Sequence, residues 1–176
     1  MAQSFLNQTG LPLGLRNNNP GNIRPGDSWV GMIGSNQGFV VFSDISWGIR
    51  AMATDLGNDM RKGLDTVRKL ITEYAPPAEN DTEAYIRSVI RDMKVFDNQI
   101  LKRDLLTLQS LMRAIMNVEL GRSYSALVKD ADIKEGLSKM NPTLLSAFGI
   151  SAAAGGSASI IIIVIAIGLV LFNLKK

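Results

Sequence analysis

Apolar residues recur along this chain mostly at intervals of three and four, the spacing that gives a helix one buried face. Residues 45–62 put Ile45, Ile49, Met52, Leu56 and Met60 on one stripe, with Ser43 or Asp44 as the cap before it and Gly63 as the stop. Residues 65–74 bury Val67, Leu70 and Ile71, and Ala75-Pro76-Pro77 ends that helix sharply. Residues 83–93 turn Tyr85, Ile86, Val89 and Ile90 inward, with Asp81 or Thr82 as the cap. A stripe at Leu108, Leu111, Met112 and Ile115 predicts a helix over 105–121, and 130–140 make one more short helix, broken by Asn141-Pro142. Ahead of these helices, 28–33 and 37–43 read as two short strands joined through Gly34-Ser35-Asn36. Residues 1–14 are polar, contain Gly and Pro, and predict a loose arm. The pattern as a whole predicts a mainly α domain with one small β-hairpin.

Beyond residue 139 the pattern changes. No charged residue occurs from Met140 to Leu174, and Ile160 to Phe172 is apolar throughout except for Gly168. With the small residues 152–159 the run reaches the length of about 20 that crosses a hydrocarbon core as a helix. Asn173, Lys175 and Lys176 suit a headgroup region. The expected organisation is therefore an arm at 1–14, a soluble domain at 15–140, a linker at 141–151 and a C-terminal transmembrane helix at 152–174. The N-terminus lacks a basic start followed by an apolar core, so no cleavable signal peptide is expected. Gly155 and Gly156 offer either close helix packing between copies of the chain or a hinge.

Composition narrows the chemistry. Among 176 residues there is no cysteine and no histidine, which rules out disulfides and histidine-based triads. A zinc site is not expected, and neither a metal nor a cofactor is predicted. The net charge of +3 comes from scattered residues. It suits a phospholipid surface or an anionic wall polymer, and no basic stripe for nucleic acid is present.

One carboxylate stands out. Four residues beyond Ile115, Glu119 falls on the apolar stripe, in the last turn of its helix, with Gly121 expected as a left-handed stop. Burial and the negative end of the helix dipole both disfavour an ionised carboxylate there, as a general acid for a glycosidic oxygen requires. The alternative is a partly exposed glutamate bonded to a loop amide. Glu79 and Asp81 are candidates for a second carboxylate, or else helix caps and dipole partners. Asn17-Asn18-Asn19-Pro20-Gly21-Asn22 is a strong turn signal. Its amides, Asn18, Asn19 and Asn22 in particular, either bind sugar hydroxyls and N-acetyl groups or satisfy their own loop. Trp29 is either a sugar-stacking platform or a core aromatic.

Three segments resemble the lysozyme superfamily, in its branch of glucosaminidases and lytic transglycosylases acting on peptidoglycan. The segment Met112-Arg113-Ala114-Ile115-Met116-Asn117-Val118-Glu119-Leu120-Gly121 is similar to the family's helix ending in a catalytic glutamate, although Leu120 stands where the family has Ser or Asn. Residues 18–24, Trp29-Val30-Gly31 and residues 39–50 resemble the series that follows it in that family. Here the series precedes the glutamate, and no glutamate occurs before Glu73, so the resemblance implies a circularly permuted lysozyme-like α+β domain. It also implies that Glu119 lies near Asn22 and Trp29. The Asn-rich turn together with Ala-Pro-Pro-x-Glu-Asn-Asp-Thr resembles small virion membrane proteins of tailless, lipid-containing phages of the corticovirus kind. What this implies is a single-pass protein of the virion membrane, resident in the host inner membrane before assembly. Its expected partners are the lipid bilayer, peptidoglycan, and capsid proteins or further copies of itself. Its domain would cleave glycan strands through Glu119, or else tie membrane to capsid without catalysis.

Overall fold

The computed structural model describes residues 3–26 and 28–150. The expected transmembrane helix at 152–174 lies outside the described residues, among which no helix is long and apolar enough to cross a membrane. In chain order the elements are α1 (Leu13–Arg16), β1 (Met32–Asn36), β2 (Phe39–Phe42), α2 (Ile45–Lys62), α3 (Val67–Tyr74), α4 (Thr82–Met93), α5 (Leu105–Leu120), α6 (Arg122–Ser125), α7 (Asp130–Ser138) and α8 (Pro142–Ser146). The mainly helical expectation with one hairpin holds.

Helix α2 runs through the middle and packs against α7, α5, α3, α8 and strand β2. Its whole apolar stripe, Ile45, Ile49, Met52, Leu56 and Met60, is buried. Both ends are fixed locally. The Asp44 side chain accepts from Ser46 N at 3.0 Å, and Gly63 closes the helix at φ 99° in the left-handed region. Asp81 caps α4 by accepting from Ala84 N, and Asp104 caps α5 by accepting from Thr107 N. Helix α5 buries Leu108, Leu111, Met112 and Ile115 against α4 and α2. Gly121 has positive φ (79°) but an extended ψ of 146°, so the expected left-handed stop is instead a sharp corner that leads straight into α6.

Three expectations are corrected. The hairpin turns at Gln37-Gly38, not at residues 34–36. Asn36 pairs with Phe39, and both turn residues have positive φ, 52° and 81°. A two-residue turn of that hand matches the right-handed twist of the flanking strands. The N-terminal arm is packed rather than loose: Phe5 is buried, Phe5 N donates to Asn18 Oδ1 at 2.8 Å, and Ile45 N donates to Gln3 O at 3.1 Å. The folded unit also continues past residue 140. Pro142 occupies the first turn of α8, where a missing N–H costs nothing, and Leu144, Leu145 and Phe148 are buried.

The asparagine turn is built into this core. Val40 N donates to Ile23 O and Phe42 N to Asn17 O, so the inner edge of β2 is bonded to the turn rather than to a third strand. On its other side the turn lies against α2 at Gly48, where any side chain would collide with Asn18 O.

Candidate active site

Glu119 emerges from the last turn of α5 into the angle between α4 and the asparagine turn. Its Oε2 accepts from Asn22 Nδ2 at 2.6 Å, and its Oε1 accepts from the Tyr85 hydroxyl at 2.7 Å. Tyr85 stands one turn into α4, whose start is set by the Asp81 cap. Asn22 sits at φ 49°, a left-handed conformation that asparagine tolerates, and its N–H donates to Asn19 O. The carboxylate needs a donor, which fixes the end of the Asn22 amide that faces it. Asn22 Oδ1 is left buried and without a partner among the described residues. Gly14 of α1 lies beneath, where a Cβ would come within 2.8 Å of both Asn22 Oδ1 and a Leu120 methyl.

Two tyrosines stiffen this corner. The Tyr74 hydroxyl donates to Gly21 O, tying the end of α3 to the turn. Burial, then the negative charge of Glu119, push both the Tyr74 and Tyr85 hydroxyls well above their ordinary range. Both stay protonated donors. Among the described residues, the groups that hydrogen-bond Glu119 are therefore neutral.

Glu119 lines an open cleft of about 520 Å³ together with the stretch from Gly21 to Gly26, Trp29 and Phe39, with Asp55, Asp59 and Lys62 of α2, with Glu73 and Tyr74 of α3, and with Glu79 and Asn80. Arg24 pairs with Glu79 at 2.6 Å and lies over the Phe39 ring at 5.7 Å. Asp59 is buried and pairs with Lys62 at 2.9 Å. Half-buried Trp29 donates from its indole nitrogen to Arg24 O at 3.3 Å, which orients the ring at the cleft wall.

The structure thus brings Glu119, Asn22, Trp29 and Glu79 to one cleft. It does not bring the others. Asp81 is the exposed cap of α4 and is not among the residues lining the cleft. Asn18 and Asn19 are fully buried. Asn18 Nδ2 donates to Ser4 Oγ and Phe42 O, while Asn19 Nδ2 donates to Ile23 O and Val40 O and its Oδ1 accepts from Ile23 N. Both amides serve the loop backbone, the second of the two roles open to them in the sequence. No group of three or more acidic residues among the described residues is arranged to hold a metal ion.

Comparison with known proteins supplies the family. No family model matches the chain. It is, however, 35% identical over 115 residues to Protein P5 of Pseudoalteromonas phage PM2, an alignment covering 61% of this chain and 71% of that protein. This chain belongs to the P5 family. The expected kinship with phage proteins of the corticovirus kind is thereby supported.

Within this P5-family chain, pattern reading missed Tyr85, Tyr74, Asp55 and Glu73. Tyr85 lies on the inward face of α4 and counts there as a core residue. Its hydroxyl was the available signal, since a buried tyrosine has to find a partner. Asp55 and Glu73 sit on helix faces that read as solvated, and only the folded chain turns them toward one cleft.

Proposed function

We propose that this phage protein is a membrane-anchored virion component whose folded domain engages peptidoglycan glycan strands and cleaves them with Glu119 as general acid. The observation that carries the reading is the meeting of Glu119 with Asn22 in an open cleft that Trp29 also lines. In the transglycosylase form of the reaction, the Glu119 proton passes to the glycosidic oxygen as the bond to the anomeric carbon breaks. The sugar's own C6 hydroxyl then bonds to that carbon and returns its proton to the carboxylate. No second carboxylate is needed. In the hydrolytic form Glu79 would activate water across the cleft, at the separation of about 6.5–9.5 Å that an inverting pair uses. Tyr85 and Asn22 orient the carboxyl group, and Trp29 offers an aromatic face to a sugar ring. Anchoring through 152–174 would hold the domain at the bilayer, next to the wall, and raise its effective concentration there.

One observation favours a second reading, in which the domain ties the viral membrane to capsid proteins and catalyses nothing. Both Glu119 oxygens are already engaged, and Glu79 is closed by Arg24. The two readings part on one experiment: muropeptide release from peptidoglycan by the full chain in detergent, against the same chain carrying Glu119→Gln. Gln keeps the size and removes the ionisable proton. Release by the wild type alone supports the enzyme. No release by either, with both folded by circular dichroism, leaves the structural role.

A further inference from the structure

The loop between α4 and α5 presents apolar side chains to solvent from a rigid base. Phe96 is 83% exposed, Ile100 72%, and Leu106 in the first turn of α5 63%. This is not a frayed segment. Gln99 N donates to Phe96 O at 3.0 Å, Phe96 N donates to the Gln99 side-chain oxygen at 3.2 Å, and Leu101 N donates to Asp65 O at 2.7 Å beneath a buried Leu101 side chain.

Three cations and two acids lie in this stretch, and the fold treats the two signs differently. Lys94, Lys102 and Arg103 are exposed, and none makes an ion pair among the described residues. The acids of the same stretch are engaged within the fold. Asp97 takes a bidentate bond from Arg68, with Nη2 to Oδ2 at 2.6 Å, and Asp104 caps α5. The loop therefore offers exposed apolar side chains with three neighbouring cations in the chain that make no ion pair among the described residues, the combination that lets a surface segment enter the headgroup boundary of an anionic bilayer.

We propose that residues 94–106 form a lipid-contacting loop, in which Phe96, Ile100 and Leu106 enter the interfacial layer of an anionic membrane while Lys94, Lys102 and Arg103 bind its headgroups. The charge complementarity selects lipid over a further protein partner. This contact is separate from the uncharged run at 140–174 and independent of any chemistry at Glu119. It would lay the folded domain on the bilayer instead of leaving it free on a tether.

Because the chain has no cysteine, a single label reports the loop cleanly. The full chain carrying Ile100→Cys, labelled with an environment-sensitive fluorophore, is mixed with phosphatidylcholine vesicles with and without phosphatidylglycerol. Phe96→Cys serves as a second reporter, and Ser35→Cys in the exposed hairpin as the reference. The expected result is a blue shift at positions 100 and 96, quenched by lipid-borne nitroxides, only with phosphatidylglycerol present and with position 35 unchanged. Neutralising Lys94, Lys102 and Arg103 to Gln should lower the bound fraction's equilibrium about fivefold per cation. Water-like emission at 96 and 100 in both vesicle types overturns the proposal. So does an equal shift in neutral vesicles, which would remove the headgroup term. A blue shift that lipid nitroxides do not quench also overturns it and points to a protein partner or a second copy.

Discussion

Asn22 and Glu119 lie 97 residues apart in the chain and 2.6 Å apart in the fold, joined by a hydrogen bond from the asparagine amide to the carboxylate. The contact closes the corner where the asparagine turn, α4 and α5 converge, and Tyr85 supplies the second bond. Tyr85→Phe removes that hydroxyl and leaves the ring packing intact. A hydrogen bond to a charged group contributes about 1.5–3 kcal/mol, and the half-open site lets water recover part of it. The expected loss is about 1–2 kcal/mol, read as a lower urea midpoint at unchanged slope. Coincident midpoints would mean that the hydroxyl does not hold Glu119.

Asn19 should matter to folding and not to any ligand. Its amide makes three buried bonds, to Ile23 O, Val40 O and Ile23 N. Asn19→Ala strands the Val40 carbonyl and the Ile23 N–H inside the protein, at about 1–3 kcal/mol for each group left unsatisfied, while the Ile23 carbonyl keeps its bond from Val40 N. Asn19→Asp should be worse, because it sets a carboxylate against two carbonyl oxygens. Thermal unfolding checks both: each variant should melt below the wild type, the aspartate variant lower. A sugar-binding role for Asn19 predicts unchanged melting and weakened glycan binding instead.

How far the chain could be read in advance varies by element. Helix α2 was legible to the residue because stripe, cap and stop agree on the same bounds. The hairpin slipped because Gly34 and Gly38 are equally good turn residues in sequence, and the chain closes its two-residue turn at Gln37-Gly38, where both residues have positive φ. Phe5 carries no periodic signal, so a single buried side chain turned an expected arm into part of the core. Leu144, Leu145 and Phe148 belong to the same uncharged run as the expected membrane segment, and composition alone gives no boundary between packing onto α2 and entering a bilayer. At the site, the closeness of Asn22 to Glu119 came from the family resemblance. The Tyr85 hydroxyl stayed hidden because a stripe registers which face is buried and says nothing of a polar tip on that face.

Asp92 gives the fold a titratable clamp. Burial alone would raise its carboxyl, but bonds from Asn117 Nδ2, at 2.8 Å, and from the Arg122 guanidinium outweigh burial and hold it below the ordinary aspartate value. A depressed folded value contributes stability that is complete above the unfolded value of about 3.9 and is lost as pH falls through the folded one. The urea midpoint of the wild type should therefore drop below about pH 4. Asp92→Asn should be less stable at neutral pH, fall less steeply in acid, and converge on the wild type there. Parallel curves would assign the acid loss to other carboxylates.

The tightest prediction concerns Gly48, in the interior of α2. Helix propensity alone favours alanine there by about 1 kcal/mol. Packing opposes it, since a Cβ on residue 48 would lie 1.9 Å from Asn18 O and 3.0 Å from the Pro20 ring. Neither neighbour yields easily. Asn18 is fixed by bonds from its side chain to Ser4, Phe5 and Phe42, and Pro20 by its own ring. Relief requires α2 to move away from the asparagine turn, and the movement is transmitted to Asn22, which belongs to the same turn. Gly48→Ala should thus cost more than the usual overpacking penalty of about 1–3 kcal/mol, against the sign expected from propensity. It should also loosen the Asn22–Glu119 contact, visible as faster amide exchange across residues 18–24 than in the Tyr85→Phe variant. A stabilised Gly48→Ala protein would show that the turn and α2 are not in the contact described.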